Sequence, residues 1–368
     1  MPPIPAPPPF SFRDPALAPL WDKVQTRTRL SFDDGLTLFQ THDLHSLGKM
    51  ATWDAERRHG KKAYFVTNRQ CNPTNYCVLD CKFCEFARRK GQDGGWAMDK
   101  DEILAHGEGV NEVHIVGGLN PDWKFDRYLQ IVKDFRQAYP SLGIKAWTAV
   151  EIEWFARLER RPIRDILAEL QAAGLDAVPG GGAEVFSERV RKELFGPKIG
   201  WDKWREVHLE AHRLGIKSNA TMLYGHIETY AERVDHILKL RALQDEAPGF
   251  MAFIPLAFTP GNTGIAVNRQ GAVEDMRTLA ASRLLLDNFD HIKAYWVLLS
   301  PEAASLGLNF GASDLDGTIG KEKIMHMAGM KSPEGLAKEA MHQLIREAGK
   351  EPVERDIFYR PVAEAVPA

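Results

Sequence analysis

The stretch Val113-His114-Ile115-Val116-Gly117-Gly118 is a short apolar run that ends in two glycines. The apolar residues after it recur at helical spacing: Phe125, Leu129, Val132 and Phe135. Another apolar run follows at residues 145–150, so the segment predicts a strand, a helix and a second strand. Such units bury a parallel sheet beneath helices. Because the same alternation recurs along the chain, this unit indicates the fold class of the whole chain.

The same alternation extends from residue 64 to residue 310. Further apolar runs that predict buried strands lie at residues 64–67, 218–224, 249–254, 292–297 and 306–310. Amphipathic stretches separate them, and the clearest begins at Pro162 and ends at Gly174. Roughly eight units result, which predicts an α/β fold of the (β/α)8 TIM-barrel type. An open doubly wound sheet is the alternative, although no G-x-G-x-x-G motif follows the first strand.

The segments that flank the barrel predict extensions to it. Six of the first ten residues are proline, and no basic region precedes an apolar stretch as in a secretory signal. We therefore predict a disordered proline-rich tail at residues 1–14, a helical extension at 15–60 and the barrel at 61–310. Residues 311–368 are predicted to form a C-terminal extension that packs on the barrel.

Composition excludes several classes of function. The chain has 368 residues, of which 44% are hydrophobic, and a net charge of −3, which argues against a dedicated nucleic-acid binder. Its longest uninterrupted apolar run, residues 251–258, is far shorter than the roughly 20 residues that span a bilayer. We expect neither nucleic acid nor membrane as a partner.

The four cysteines all lie between Cys71 and Cys84, which indicates a metal or redox site in a reducing, cytoplasmic compartment. Cys77, Cys81 and Cys84 form a C-x3-C-x2-C motif directly after the first strand. Three thiolates at this spacing can hold three irons of a [4Fe–4S] cluster and leave the fourth iron open. Structural zinc is the alternative, but it requires four ligands, and only Cys71 is left to supply one.

This motif, with the aromatic residue Phe83 before its last cysteine, resembles the radical S-adenosylmethionine (radical SAM) superfamily. Residues 72–75 and 86–88 are similar to the branch that acts in futalosine and deazaflavin biosynthesis. The likeness continues in five further stretches, at residues 114–118, 148–151, 179–184, 218–226 and 253–258. Together they most resemble the aminofutalosine (aminodeoxyfutalosine) synthase family, over roughly residues 30–360.

The resemblance implies that Cys77, Cys81 and Cys84 hold a [4Fe–4S] cluster whose open iron binds the methionine group of S-adenosylmethionine. It also implies that Phe83 contacts the adenine and that Gly117 and Gly118 meet the methionine amine. The alternatives are ordinary ones: Phe83 is a packing aromatic, and the glycines form a turn.

Two carboxylates and one histidine are further candidates. Glu184 follows the glycine-rich residues 179–182 and is predicted to accept hydrogen bonds from the ribose hydroxyls, with Glu151 as the alternative. A helix-start carboxylate is the other interpretation of Glu184. His226 follows a strand at its C-terminal end and is predicted to bind a substrate carboxylate or transfer a proton.

Other polar residues carry weaker predictions. Four cations are secondary candidates for anion binding: Arg69, Arg88, Lys145 and Lys293. His208 and His212 have the i, i+4 spacing of a zinc pair, but they fall on an outer helix and lack the H-E-x-x-H arrangement. We predict a solvated or interface pair there.

The resemblance implies an enzyme that adds the 5′-deoxyadenosyl radical to the vinyl carbon of 3-[(1-carboxyvinyl)oxy]benzoate. Rearrangement and loss of the carboxyl carbon would yield aminodeoxyfutalosine for menaquinone biosynthesis, with a one-electron donor such as flavodoxin or ferredoxin. Rival enzymes are dehypoxanthine futalosine cyclase and the deazaflavin synthases. A non-enzymatic iron–sulfur sensor or electron carrier is the remaining alternative, although a large barrel exceeds what that role needs.

Overall fold

The computed structural model describes residues 11–362, so most of the predicted tail at residues 1–14 lies outside the described part. The helices are α1 Leu17–Thr26, α2 Phe32–Gln40, α3 Leu44–His59, α4 Lys100–Leu104, α5 Phe125–Ala138, α6 Ala149–Glu159, α7 Ile163–Ala172, α8 Glu188–Leu194, α9 Trp201–Arg213, α10 Tyr230–Glu246, α11 Ala272–Leu285, α12 Trp296–Leu299, α13 Pro301–Gly307, α14 Ile324–Met327 and α15 Lys338–Glu347. The strands are β1 Lys62–Val66, β2 Asn68–Cys71, β3 Glu112–Ile115, β4 Gly143–Ala146, β5 Ala177–Val178, β6 Lys217–Tyr224, β7 Phe250–Ala257, β8 His291–Ile292, β9 Asp314–Gly317 and β10 Glu351–Glu354.

The strands β2 to β8 form a parallel seven-stranded sheet in chain order, and β10, β1 and β9 form a second parallel sheet. Strands β1 and β2 are separated only by Thr67, and β9 connects the two sheets. The Ala294 amide, just beyond β8, donates to the Asp314 carbonyl of β9 at 2.8 Å. On its other side, β9 pairs with β1. The sheet therefore curls round on itself, and the predicted α/β barrel fold is confirmed.

The last barrel strand differs from the prediction. Residues 306–310 are not a strand, because α13 ends there and a turn follows it. The strand that takes this place is β9, Asp314–Gly317, in which two aspartates alternate with the buried Leu315 and a glycine. At residues 145–150 the strand β4 ends at Ala146, and α6 begins only three residues later.

Helices cover the outside of the sheet as their apolar faces predict. The fully buried Trp204 of α9 stacks against Phe250 at the start of β7, with ring centroids 6.0 Å apart. The N-terminal helices pack on the far side of the barrel helices, where Gly35 of α2 lies against Val234 of α10. A Cβ at Gly35 would stand 2.8 Å from a Val234 methyl group, so this close packing requires glycine. Within residues 11–362, no helix has the length and apolar character needed to cross a bilayer.

Candidate active site

One large cavity opens at the C-terminal ends of the barrel strands, where catalytic sites of β/α barrels occur. The loop after β2 covers one side of it and contributes Cys77, Cys81 and Cys84 to its wall. The ends of β6 and β7 contribute apolar side chains, including Leu223 and Leu256. The cavity thus combines three thiols with a largely apolar wall.

The loop that carries the cysteines is held in place by its own backbone and by Trp96. Strand-like hydrogen bonds join its two arms, because the Cys77 amide donates to the Arg88 carbonyl at 3.0 Å. The Trp96 indole donates to the Asn72 carbonyl at 3.0 Å, and the Trp96 amide donates to Asn75 Oδ1 at 2.8 Å. The three thiols are therefore presented by an ordered loop.

The three motif cysteines differ from Cys71 in environment. All four thiols are free, but Cys77, Cys81 and Cys84 are only partly buried and face the cavity. Burial raises the pKa of the Cys81 thiol to about 11 and also raises that of Cys84, while the Lys198 ammonium opposes both shifts. Cys71 ends β2, is fully buried, and has a pKa raised to about 12 by burial. It packs in the core and does not line the cavity.

This donor set fits an iron–sulfur cluster better than a single ion. In residues 11–362, no three His, Cys, Asp or Glu side chains stand close enough together to hold one metal ion. A cube binds each thiolate on a different iron, so its ligands stand further apart than those of one ion. Three thiols on one cavity wall match a cluster that is bound by three cysteines and has one open iron.

Gly117 and Gly118 lie where β3 ends, directly beneath the cysteine loop. A Cβ at Gly118 would stand 2.2 Å from the Tyr76 carbonyl oxygen, and one at Gly117 would stand 2.8 Å from the Thr74 carbonyl oxygen. Both glycines also line the cavity. Their small size therefore has a packing reason, and contact with the methionine amine remains a prediction.

Glu184 lies at the cavity wall in a buried ion pair with Lys198, whose Nζ is 2.5 Å from the carboxylate. The same ammonium group is 5.1 Å from the centre of the Phe83 ring, within cation–π range. Phe83 also contacts Phe195 edge to face at 5.9 Å. Sequence analysis missed Lys198, because nothing in its local sequence distinguishes it from a solvated lysine.

Glu151 uses its carboxylate differently from Glu184. Its oxygens accept hydrogen bonds from the Gly117 amide at 3.0 Å and the Thr148 amide at 2.7 Å, so it caps α6 and ties α6 to the end of β3. Burial raises the pKa of Glu151 to about 7. Both carboxylates reach the cavity, but Glu184 is the less occupied by backbone donors.

His226 follows β6 as predicted, yet its ring is not part of the wall of this cavity. Its side chain is fully buried and is engaged on both nitrogens. Nδ1 accepts from the Ile227 amide at 2.7 Å and lies 2.9 Å from Glu228, and Nε2 contacts the Leu223 carbonyl at 3.0 Å. The ring therefore holds the end of β6, and its predicted catalytic role is not favoured by this placement.

The secondary candidates separate into two groups. Lys145 and Lys293 are buried and line the cavity, whereas Arg69 and Arg88 bind nearby backbone carbonyls and do not reach it. The histidine pair on α9 is predicted to be solvated or to lie at an interface, but both rings are buried inside the chain, between α9 and the sheet. His208 Nδ1 and His212 Nε2 both contact Ser218 Oγ of β6, at 3.0 and 2.7 Å. They fasten α9 to the sheet, which explains why polar residues occur on its buried face.

The inner end of the cavity rests on a buried network of charges. Lys145 of β4 lies 2.7 Å from Glu112 of β3, and Lys293 lies 3.1 Å from Asp316 of β9. Below them, Arg355 inserts from the end of β10 and pairs with Asp314 at 2.8 Å and with Glu112 at 3.4 Å. Three cations and three carboxylates balance one another inside the barrel.

Fold and site together define a β/α-barrel enzyme that carries an iron–sulfur cluster at the C-terminal ends of its strands. The sequence pattern of the Radical SAM superfamily matches residues 71–240, and that of the CofH/MqnC C-terminal region matches residues 247–366. The chain is 48% identical to an aminodeoxyfutalosine synthase of Thermus thermophilus, over 95% of this chain and 97% of that one. It is 39% identical to an aminodeoxyfutalosine synthase of Streptomyces coelicolor, over 94% of each.

Less similar relatives have other names. One is a cyclic dehypoxanthine futalosine synthase of Halalkalibacterium halodurans, 32% identical over 90% of this chain and 91% of that one. Among solved structures, HydG, a maturase of the [FeFe]-hydrogenase, matches with a TM-score of 0.72 at 14% identity, over 92% of this chain and 76% of that one. That likeness concerns the fold alone.

The chain belongs to the radical SAM superfamily, in the family of the aminodeoxyfutalosine synthases. It is an enzyme whose cofactors are a [4Fe–4S] cluster and S-adenosylmethionine, as the cysteine motif predicts.

Proposed function

We propose that the chain is an aminodeoxyfutalosine synthase of menaquinone biosynthesis. Its reaction joins the 5′-deoxyadenosyl group of S-adenosylmethionine to the vinyl carbon of 3-[(1-carboxyvinyl)oxy]benzoate, with rearrangement and loss of the carboxyl carbon. One observation carries the proposal. A single cavity holds the three cysteines at its outer end and buried lysines at its inner end, in a chain 48% identical to a synthase of this name.

The residues around the cysteines would hold the cofactors. When bound, the cluster supplies the single electron that cleaves the sulfonium of S-adenosylmethionine. Cys77, Cys81 and Cys84 would be its ligands, and Gly117 and Gly118 would bring backbone close to the methionine group. The loop and the strand end are already joined by hydrogen bonds, so both would be positioned before the cofactors bind.

Phe83, Glu184 and Glu151 would surround the nucleoside. Phe83 offers an aromatic edge or face to the adenine, and Lys198 holds Glu184 at the cavity wall. We assign the ribose hydroxyls to Glu184, since both oxygens of Glu151 already accept backbone N–H groups. A carboxylate paired with one lysine keeps acceptor capacity for two hydroxyl groups.

The apolar wall would protect the reaction from side products. Leu223, Ile254 and Leu256 face the cavity from β6 and β7. They exclude water, which a radical reaction requires, and they offer an aromatic substrate an apolar contact surface. We propose that His226 contributes as a positioning residue, because its ring binds the Leu223 carbonyl.

We propose further that the chain works in the cytoplasm with a small one-electron donor, such as flavodoxin or ferredoxin. Free cysteines and an oxygen-sensitive cluster fit a reducing compartment. The conclusive assay is anaerobic. Reconstituted enzyme, a reductant and S-adenosylmethionine are incubated with the enol ether or with dehypoxanthine futalosine, and products are identified by mass.

Formation of aminodeoxyfutalosine from the enol ether alone would support the proposal. Conversion of dehypoxanthine futalosine instead would identify a cyclase. A non-enzymatic carrier would convert neither compound, and the EPR signal of its reduced cluster would not change when S-adenosylmethionine is added.

A further inference from the structure

The inner end of the cavity is polar, although the wall above it is apolar. We call this inner surface the floor and define it by the residues that one level of the barrel contributes: Gln70 (β2), His114 (β3), Lys145 (β4), Asn219 (β6), Lys293 (beside β8) and Asp316 (β9). Gln70, His114 and Lys145 are direct register partners on three neighbouring strands. These three residues belong to the strands themselves and therefore lie deeper in the barrel than the cysteine loop, which follows the C-terminal end of β2.

Two atoms of the floor lack hydrogen-bond partners. Among the described residues, nothing contacts the buried Nε2 atom of His114 or the buried Oδ1 atom of Asn219 at hydrogen-bond distance. Asn219 is only 3% exposed, so the solvent outside cannot satisfy it. Buried polar groups are rarely left unpaired in folded proteins, so the unpaired His114 nitrogen indicates a polar ligand, whereas the Asn219 oxygen is itself an acceptor and would need a donor.

The state of His114 defines what it offers to a ligand. Gln70 Nε2 lies 3.3 Å from His114 Nδ1 and donates to it, so the neutral ring carries its proton on Nε2. Burial and the neighbouring Lys145 lower the pKa of His114 to about 4, which keeps the ring neutral at pH 7. The free atom is therefore an N–H donor, and its natural partner is an acceptor oxygen.

Lys145 gives this position a positive character. Its register partner on β3 is His114, so the two side chains are neighbours on the inner face of the sheet. The ammonium group has three N–H donors, and within the described part of the chain it forms one hydrogen bond, to Glu112, two residues before His114 on β3. Asp316 also reaches the floor, but Lys293 pairs with it at 3.1 Å. An oxygen acceptor with negative charge would find two donors here.

We propose that the floor is the subsite for the carboxylate on the aromatic ring of the substrate, with His114 Nε2 and Lys145 Nζ as the donors. This inference rests on the proposed function. The vinyl carbon must meet the nucleoside beside the cysteine loop, so its own carboxylate stays at the outer end. The ring then lies against the apolar wall, and the ring carboxylate reaches the floor.

The test compares the substrate with 2-phenoxyacrylate, which has the same enol ether but no ring carboxylate. We expect the reconstituted wild-type enzyme to use the full substrate at least about 100-fold better in kcat/KM, because the floor donors lose their partner in the analogue. In His114→Phe, which keeps an aromatic ring at this position, kcat/KM for the full substrate should fall about 30-fold, mainly through a higher KM. For the analogue, kcat/KM should fall less than about threefold. His114→Gln retains a donor near the Nε2 position and should recover most of the loss.

His208→Phe is the matched control, since His208 is a fully buried histidine that also has an unpartnered Nε2 but lies on α9, outside the cavity. It should leave the preference between the two substrates unchanged. Iron content and circular dichroism verify that each variant is loaded and folded. Wild-type enzyme that uses both compounds equally well would overturn the floor assignment without any variant, and so would an unchanged preference in loaded His114→Phe. Absence of aminodeoxyfutalosine formation in the wild type would instead overturn the proposed function.

Discussion

At the scale of single residues, exposure to the cavity separates three cysteines from a fourth. Cys77, Cys81 and Cys84 lie in the loop that covers the cavity, while Cys71 is fully buried in the core at the end of β2. A thiol in the core has no path to the irons of a cluster bound in the cavity. The structure thus gives a physical reason for treating the four residues differently.

Replacing any one of the three motif cysteines by alanine should abolish activity and cluster binding, and Cys71→Ser should retain both. We expect iron in the motif variants to fall from about four atoms per chain to below about one, because three thiolates are the minimum that holds the cube. Iron and sulfide analysis of the four reconstituted variants measures this. Loss of the cluster in Cys71→Ser, with the three motif variants still loaded, would contradict the three-ligand assignment.

His226→Ala should keep the cluster and the fold but lower kcat at least about tenfold, with a smaller change in KM. The reason is positional, because the ring holds Leu223 and Ile227 at the end of β6. His226→Asn places an acceptor near the Nδ1 position and should restore most of kcat. Wild-type kinetics in the alanine variant would remove His226 from the site.

The sequence predicts the cluster ligands better than the residues around the substrate. A metal motif is local, so its spacing is visible without the fold. His114 belongs to a stretch that carries the family resemblance, but a histidine in an apolar strand shows its role only when the barrel places Lys145 beside it. Lys198 reaches the site through the fold alone, since it is more than a hundred residues from the cysteines it approaches.

At the scale of elements, the cysteine loop and the end of β3 act as a unit. The Gly118 backbone lies so close to the loop that a Cβ would stand 2.2 Å from the Tyr76 carbonyl oxygen. The backbone at the end of β3 and the backbone of the cysteine loop are in direct contact, so neither can shift without displacing the other. The arrangement links the position of the thiols to the position of the strand end.

Gly118→Ala should therefore destabilise the loop and reduce cluster loading. We expect a loss of about 1–3 kcal/mol in the free energy of unfolding, the usual cost of overpacking. Gly196→Ala is the control, because Gly196 is exposed, does not have a positive φ, and a Cβ added there would stand 3.7 Å from its nearest neighbouring atom. Chemical denaturation and iron content measure both. Equal stability and loading in the two variants would show that the close approach is not required.

Strand β9 shows where hydrophobic patterns fail. Asp314 and Asp316 face the charged interior of the barrel, which leaves Leu315 as the one apolar side chain of β9, so no apolar run reveals the strand. A register shift against β1 and a φ of +71° at Asp316 make it irregular as well. The prediction of a last strand at residues 306–310 is wrong because these residues form the end of α13 and a turn, in which Leu308 is buried but Leu306 is 48% exposed.

At the scale of the whole molecule, the C-terminal region completes the barrel from below. Arg355 is fully buried and pairs with Asp314 of β9 and Glu112 of β3, which are far apart in sequence. The C-terminal part of the chain therefore neutralises carboxylates on which the barrel interior is built. The structural similarity to HydG at 14% identity shows that the barrel fold is kept when most of the sequence differs.

Arg355→Leu should lower the free energy of unfolding by about 3–5 kcal/mol, because the buried Asp314 carboxylate loses its cationic partner and Glu112 keeps only Lys145. The control is Arg360→Ala, which removes an exposed ion pair with Asp356 and should cost less than about 1 kcal/mol. Urea denaturation monitored by circular dichroism compares the two. A small effect of Arg355→Leu would mean that the network does not hold the barrel together.

In the reaction that we propose, the adenosyl group becomes part of the product. Most radical enzymes of this superfamily abstract hydrogen and release 5′-deoxyadenosine, whereas addition to an alkene requires the vinyl carbon within bonding approach of C5′. The most direct measurement supplies S-adenosylmethionine labelled with ¹³C in the adenosyl group, together with 3-[(1-carboxyvinyl)oxy]benzoate, under anaerobic conditions. We predict label in aminodeoxyfutalosine and one methionine released per product. Label that accumulates only as free 5′-deoxyadenosine, in step with loss of substrate, would show that the adenosyl radical abstracts hydrogen and that the chain is not a synthase.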